Sequence, residues 1–273
     1  MHWVRMCTLI VLFCSFQIAW LPAVYGQGDK EDIQNAILRY KSAIDINPNN
    51  PTTRMRLGRS YLMSGELDAA VEQFKQAIRL SPADGEAFFS LARALARKKD
   101  FDGAADALKQ AVKFDPNNAD YRYKYGQVLS RRQKNDEAIT QFRQAVKLNP
   151  SGAAAHRELG AALGLAGDLD GQIFEENKSL ELAADDGDAY YYLGSAYVAK
   201  GKPAEARANL KKCLTIDAKN ADACRLLAAV EAALGNMKAA VEAAEQSSKI
   251  DPANPAIKAQ LQKLQAAERK QSK

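Results

Sequence analysis

A 34-residue period governs this chain. Lines of that length starting at Pro51, Gly85, Ala119, Ala153, Gly187 and Ala221 align without a gap. One column reads Leu57, Leu91, Tyr125, Leu159, Leu193, Leu227, and the next reads Gly58, Ala92, Gly126, Gly160, Gly194, Ala228. Later in each line a small column runs Ala70, Ala104, Ala138, Gln172, Ala206, Ala240. A bulky one runs Phe74, Leu108, Phe142, Glu176, Leu210, Ala244, and a second small one Ala77, Ala111, Ala145, Ser179, Cys213, Ser247. Self-similarity at such an interval means one supersecondary unit copied along the chain, each copy covering the apolar face of the next.

The spacing inside a line sets the unit. Leu57, Gly58 and Tyr61 share one face of a helix, as do Ala70, Phe74 and Ala77. Gly65, Gly167, Gly201 and Gly235 stand in one column between those faces, where a helix ends in a left-handed residue. Pro82, Pro116, Pro150 and Pro252 close four lines, and proline cannot continue a helix. Each line therefore predicts a helical hairpin. Small residues at positions 58 and 70 let its two helices approach closely. The predicted organisation is a leading segment 1–26, an N-terminal capping helix and half repeat 27–50, and six repeats over 51–254. The repeats are 51–84, 85–118, 119–152, 153–186, 187–220 and 221–254, and a C-terminal capping helix with a basic tail spans 255–273.

Leu57-Gly58, Tyr61, Ala70, Phe74 and Pro82, recurring in register, resemble the tetratricopeptide-repeat pattern. The resemblance implies an all-α fold, an α-solenoid wound as a right-handed superhelix of helical hairpins. It also implies a concave groove lined by the first helices that receives a protein or peptide partner. The positions implied to line it are Met55, Arg56, Arg59, Phe89, Arg93, Tyr123, Lys124, Gln127, Arg157, Tyr191 and Tyr192. Phe89, Tyr123 and Tyr191 recur in one column as expected solvent-facing anchors. The arginines and Lys124 make the N-terminal half basic, suited to an acidic stretch in the partner. The usual leading aromatic of the motif is present as Phe88 and Tyr190, and replaced by Arg54, Arg122, His156 and Cys224.

Catalytic patterns are missing from the sequence. Beyond residue 26 there is one histidine, His156, and two cysteines, Cys213 and Cys224. Neither a His-based triad nor a zinc pattern follows from these. Gly160, Gly164, Gly167 and Gly171 lack the Lys-Ser/Thr of a phosphate loop. The expectation is no enzyme and no cofactor. The net charge of +5 is spread among interspersed acidic and basic residues, which argues against nucleic acid. In the fourth line three packing columns turn polar, and His156, Gln172, Glu176 and Ser179 are expected to form a polar core cluster. A hydrogen bond between His156 and Glu176 and a locally weak joint are expected there. The two cysteines are expected to be packing residues rather than a disulfide.

Arg5 followed by a nearly apolar run from Met6 to Trp20, then Pro22 and small residues up to Gly26, fits a secretory signal cleaved before Gln27. The chain is then periplasmic or secreted. Alternatively, residues 6–25 remain as an inner-membrane anchor, and only then does the chain contact a membrane. Three roles stay open: an exported adaptor, a membrane-held assembly platform, or an accessory subunit of an envelope enzyme.

Overall fold

A computed structural model describes residues 27–271. The proposed signal or anchor lies outside the described residues. Among those residues there are fourteen helices and no strand, the architecture of an all-α solenoid. No described helix is long and apolar enough to cross a membrane.

Two compact units divide the chain at Leu80/Ser81. The first contains α1 (Gln27–Ile46), α2 (Pro51–Ser64) and α3 (Leu67–Leu80). The second contains α4 (Gly85–Arg97), α5 (Phe101–Phe114), α6 (Ala119–Arg131), α7 (Asn135–Leu148), α8 (Ala153–Leu165) and α9 (Leu169–Leu182). It continues with α10 (Gly187–Ala199), α11 (Pro203–Ile216), α12 (Ala221–Ala233), α13 (Met237–Ile250) and α14 (Pro255–Gln271).

Local chemistry explains where the helices start and stop. Asn50, Asp84, Asn118, Asp186 and Asn220 sit at N-caps and accept hydrogen bonds from backbone N–H groups of the first turns of α2, α4, α6, α10 and α12. Helix α8 instead begins at Gly152, which has no side chain to offer. Between the helices of a hairpin the chain passes through a left-handed residue. It is glycine at Gly65, Gly167, Gly201 and Gly235, but Lys99 and Gln133 take the same conformation in the second and third hairpins.

Packing follows the columns. Ala70, Phe74 and Ala77 are fully buried in the first unit. In the second unit so are Ala104 and Ala111, Ala138 and Phe142, and Ala206, Leu210 and Cys213. Second-helix side chains press on the small first-helix residue opposite. A Cβ added to Gly126 would lie 2.5 Å from a ring carbon of Phe142, and one added to Gly194 would lie 2.7 Å from Leu210. Each such apolar side chain contributes roughly 1.5–3 kcal/mol on burial. Cys213 and Cys224 are free thiols with no exposed surface. Burial pushes them up to about 12 and about 11.

Candidate partner-binding face

The first helices carry the residues singled out by sequence, some exposed and some buried, and they fall in both units. In the first unit, Arg56 and Arg59 are exposed on α2, while Met55 is buried at 6% exposure. In the second unit, Arg93 is exposed on α4, and Tyr123, Lys124, Gln127, Arg157, Tyr191 and Tyr192 are half-buried on α6, α8 and α10.

Phe89 is a correction. It is not solvent-facing, being only 7% exposed, and its ring stacks on Tyr121 with centroids 4.6 Å apart. The cause is the next line: Tyr121 reaches back to donate its hydroxyl hydrogen bond to Glu86 at 2.9 Å, and Phe89 fills the space beneath. Burial, then that bond, raises the Tyr121 phenol far above its ordinary value. Phe89 and Met55 are thus buried side chains and not solvent-facing ones.

The residues on α6, α8 and α10 of the second unit form a pre-ordered row. Gln127 donates to the Tyr123 hydroxyl at 2.9 Å and to Glu158 on α8 at 3.1 Å. The Lys124 ammonium stands 5.0 Å from the centre of the Tyr123 ring. Arg157 donates to Asp186, the N-cap of α10, at 2.7 Å. Tyr191 and Tyr192 lie with ring centroids 5.6 Å apart. Burial pushes the Tyr123 and Tyr192 phenols up to about 12. The row offers aromatic surface, amide and hydroxyl groups whose positions are already fixed by neighbours.

The polar residues of the fourth hairpin are all buried, but they do not form one network. His156, at 9% exposure, does not meet Glu176. Its Nδ1 lies 2.6 Å from Glu175, and its Nε2 donates to the Pro150 carbonyl at 3.1 Å. Gln172 donates to the Tyr192 carbonyl at 3.1 Å, and Ser179 to the Ala153 carbonyl at 3.0 Å. Glu176 has no hydrogen-bond partner among the described residues.

The periodic pattern contained the right pairing. Arg54 donates to the Pro48 carbonyl and to Gln73; Arg122 donates to the Pro116 carbonyl and to Gln141. His156 repeats this arrangement with Pro150 and Glu175. Read as paired columns, Arg54/Gln73, Arg122/Gln141 and His156/Glu175 match long polar with polar, and Phe88/Ala107 sets a large apolar residue against a small one. Glu175, one position before Glu176, was therefore the partner legible by register. Among the described residues no group of three or more His, Cys, Asp or Glu could hold a metal ion.

Comparison with known proteins agrees with this architecture. Tetratricopeptide-repeat family models match residues 26–85, 55–119, 107–140 and 197–264, and a TPR-repeat model matches 126–167. No curated protein matches the sequence. Among solved structures, the C-terminal part of a TPR repeat-containing protein from Cytophaga hutchinsonii superposes with a TM-score of 0.69 at 18% identity. That match covers 84% of this chain and 95% of the other. PilW, described as a widely conserved type IV pilus biogenesis factor, gives 0.65 at 21% identity, covering 78% and 97%. YrrB, a TPR protein with an unusual peptide-binding site, gives 0.63 at 23% identity, covering 67% and 95%.

Proposed function

Because this chain belongs to the tetratricopeptide-repeat family, a fold that serves as a protein-interaction scaffold, we propose that it is a non-catalytic adaptor. Its partner is a peptide segment held against the first helices of the second unit. The observation that carries this reading is the row Tyr123, Lys124, Gln127, Arg157, Tyr191 and Tyr192. These are half-buried groups with fixed geometry on consecutive first helices, and the Tyr123 and Tyr191 rings rest on the edge of the hairpin cores while part of their surface stays exposed. Rigid tyrosines give large contact area at small entropic cost and commonly dominate binding energy. Lys124, with Arg93 and Arg97 on α4, favours an acidic stretch in the segment and acts mostly on association rate. The peptide-binding site reported for YrrB makes a peptide the first occupant to examine.

In this reading the leading segment 1–26 carries the scaffold out of the cytoplasm, and the partner is an envelope protein. A mature chain beginning at Gln27 supports export, whereas a full-length chain confined to the cytosol overturns it. The binding assignment is tested by copurification with the tagged protein. A Tyr123→Ala/Tyr191→Ala variant is compared with Gln144→Ala, which changes an exposed residue of second helix α7. Loss of the partner in the first alone is expected. Equal recovery with both variants, each fully helical, contradicts the assignment.

A further inference from the structure

Glu176 occupies the second-helix position that Phe142 and Leu210 hold in neighbouring hairpins. It is fully buried, and both carboxyl oxygens lack a hydrogen-bond partner among the described residues. Its Oε1 lies only 2.7 Å from where a Gly160 Cβ would stand, so the carboxyl is wedged between helices and not folded outward. Charged and titratable groups face it from both neighbouring first helices: Arg157 and Glu158 on α8, and Asp188 and Tyr192 on α10, with Asp186 at the α10 cap. Arg157, the cation of this group, is engaged by Asp186. On its own helix, Glu175 is taken by His156. An isolated carboxylate in such a place is costly, and the neutral acid is the form that fits.

We infer that the α8–α9 hairpin is a proton-controlled joint. With Glu176 neutral, α9 closes on α8; ionisation of Glu176 releases α9 while the flanking hairpins stay folded. Release breaks the Gln172 bond to the Tyr192 carbonyl, the Ser179 bond to the Ala153 carbonyl and the His156–Glu175 contact. Tyr192 and Arg157 stand on the helices that α9 supports, so the joint couples acidity to the first-helix face.

The direction follows from the two states. Burial first, then the neighbouring carboxylates against the opposing pull of Arg157, pushes Glu176 from 4.5 up to about 9 in the packed hairpin. In released α9 the side chain returns to the ordinary carboxylate range. Between these values the packed form holds one more proton than the released form. Each pH unit then multiplies the opening equilibrium by up to about tenfold, with no further change below or above that window. Acid closes the joint and alkali loosens it.

Hydrogen exchange on the intact protein from pH 5 to pH 9 tests this, with the intrinsic exchange rate divided out. The quantity read is the protection of α9 amides relative to α5 amides in the same molecule. The wild-type ratio should fall by up to about tenfold per pH unit. Glu176→Gln and Glu176→Leu should flatten it, and His156→Asn, which leaves Glu176 in place, should keep the slope. A wild-type ratio constant with pH overturns the joint outright. A slope that persists without the Glu176 carboxyl assigns the titration to another group and equally overturns it. The wild-type measurement stands alone if a variant fails to fold.

Discussion

The third and fourth hairpins of the chain share a backbone and differ in what they bury. Each pairs a 13-residue first helix with a 14-residue second helix. Each sets a first-helix glycine, Gly126 or Gly160, against one large second-helix side chain at nearly the same distance. In the third hairpin that side chain is Phe142, packed with Leu129, Ile139, Leu159 and Leu163 in one apolar cluster. In the fourth it is an unpartnered carboxyl. The frame thus survives a chemical inversion at its centre. Small residues permit close approach, and neighbouring hairpins press from both sides, so the helix positions do not depend on any single core side chain. The difference appears as local stability instead: an apolar side chain contributes roughly 1.5–3 kcal/mol on burial, whereas an unsatisfied buried polar group costs about 1–3 kcal/mol.

The largest effect should come from emptying the stronger hairpin. Phe142→Ala should destabilise the third hairpin by about 3–5 kcal/mol, through lost transfer energy and the cavity left beside Gly126. Protection of α7 amides should drop accordingly. Glu176→Leu should do the reverse in the fourth hairpin, stabilising it by about 2 kcal/mol at pH 8. That gain should shrink at pH 5, close to the ordinary carboxylate value, where ionisation of the released side chain favours opening far less. Urea titration of α9 exchange at the two pH values checks both the size and the pH trend.

Removing a half-buried first-helix aromatic should act on binding more than on the fold. Tyr191→Ala should weaken partner binding by about 2 kcal/mol, with helicity retained. Titration of the copurified partner by calorimetry measures it. The smallest effect concerns the turns. Gln133 holds a left-handed conformation at φ 60°, where the fourth hairpin has Gly167 at φ 85°. Gln133→Gly should stabilise the third hairpin by about 0.5 kcal/mol, and Gly167→Gln should cost the fourth a similar amount. Thermal melts of the two variants should move in opposite directions.

Most of the fold was legible because a repeat gives six readings of one rule. The columns at 58, 70, 74 and 77 mark the hairpin interior, and the glycines at 65 and 167 mark its turn. What periodicity could not resolve was the choice between adjacent positions on one helix. Glu175 and Glu176 differ by about 100° of helical rotation, and only the paired column Gln73/Gln141/Glu175 shows which of them meets His156. Phe89 was misread for a related reason. Its column faces outward when one repeat is considered, but Tyr121 of the following repeat folds over it, and that contact depends on how repeats stack. The Tyr123, Arg157 and Tyr191 column was visible in the sequence, while the bonds that order the row run from Gln127 to Glu158 on the next first helix and from Arg157 to Asp186 at the α10 cap.

The central claim is that partners meet the outer side of the first helices regardless of what the second helices bury. The most direct measurement is site-specific photo-crosslinking in the native host. A photoreactive residue replaces Tyr123, Tyr191 or Gln144 in turn, and crosslinked peptides are identified by mass spectrometry. The account predicts that positions 123 and 191 capture neighbouring stretches of one partner segment and that position 144 captures none of it. Capture of that segment from position 144 alone contradicts the account.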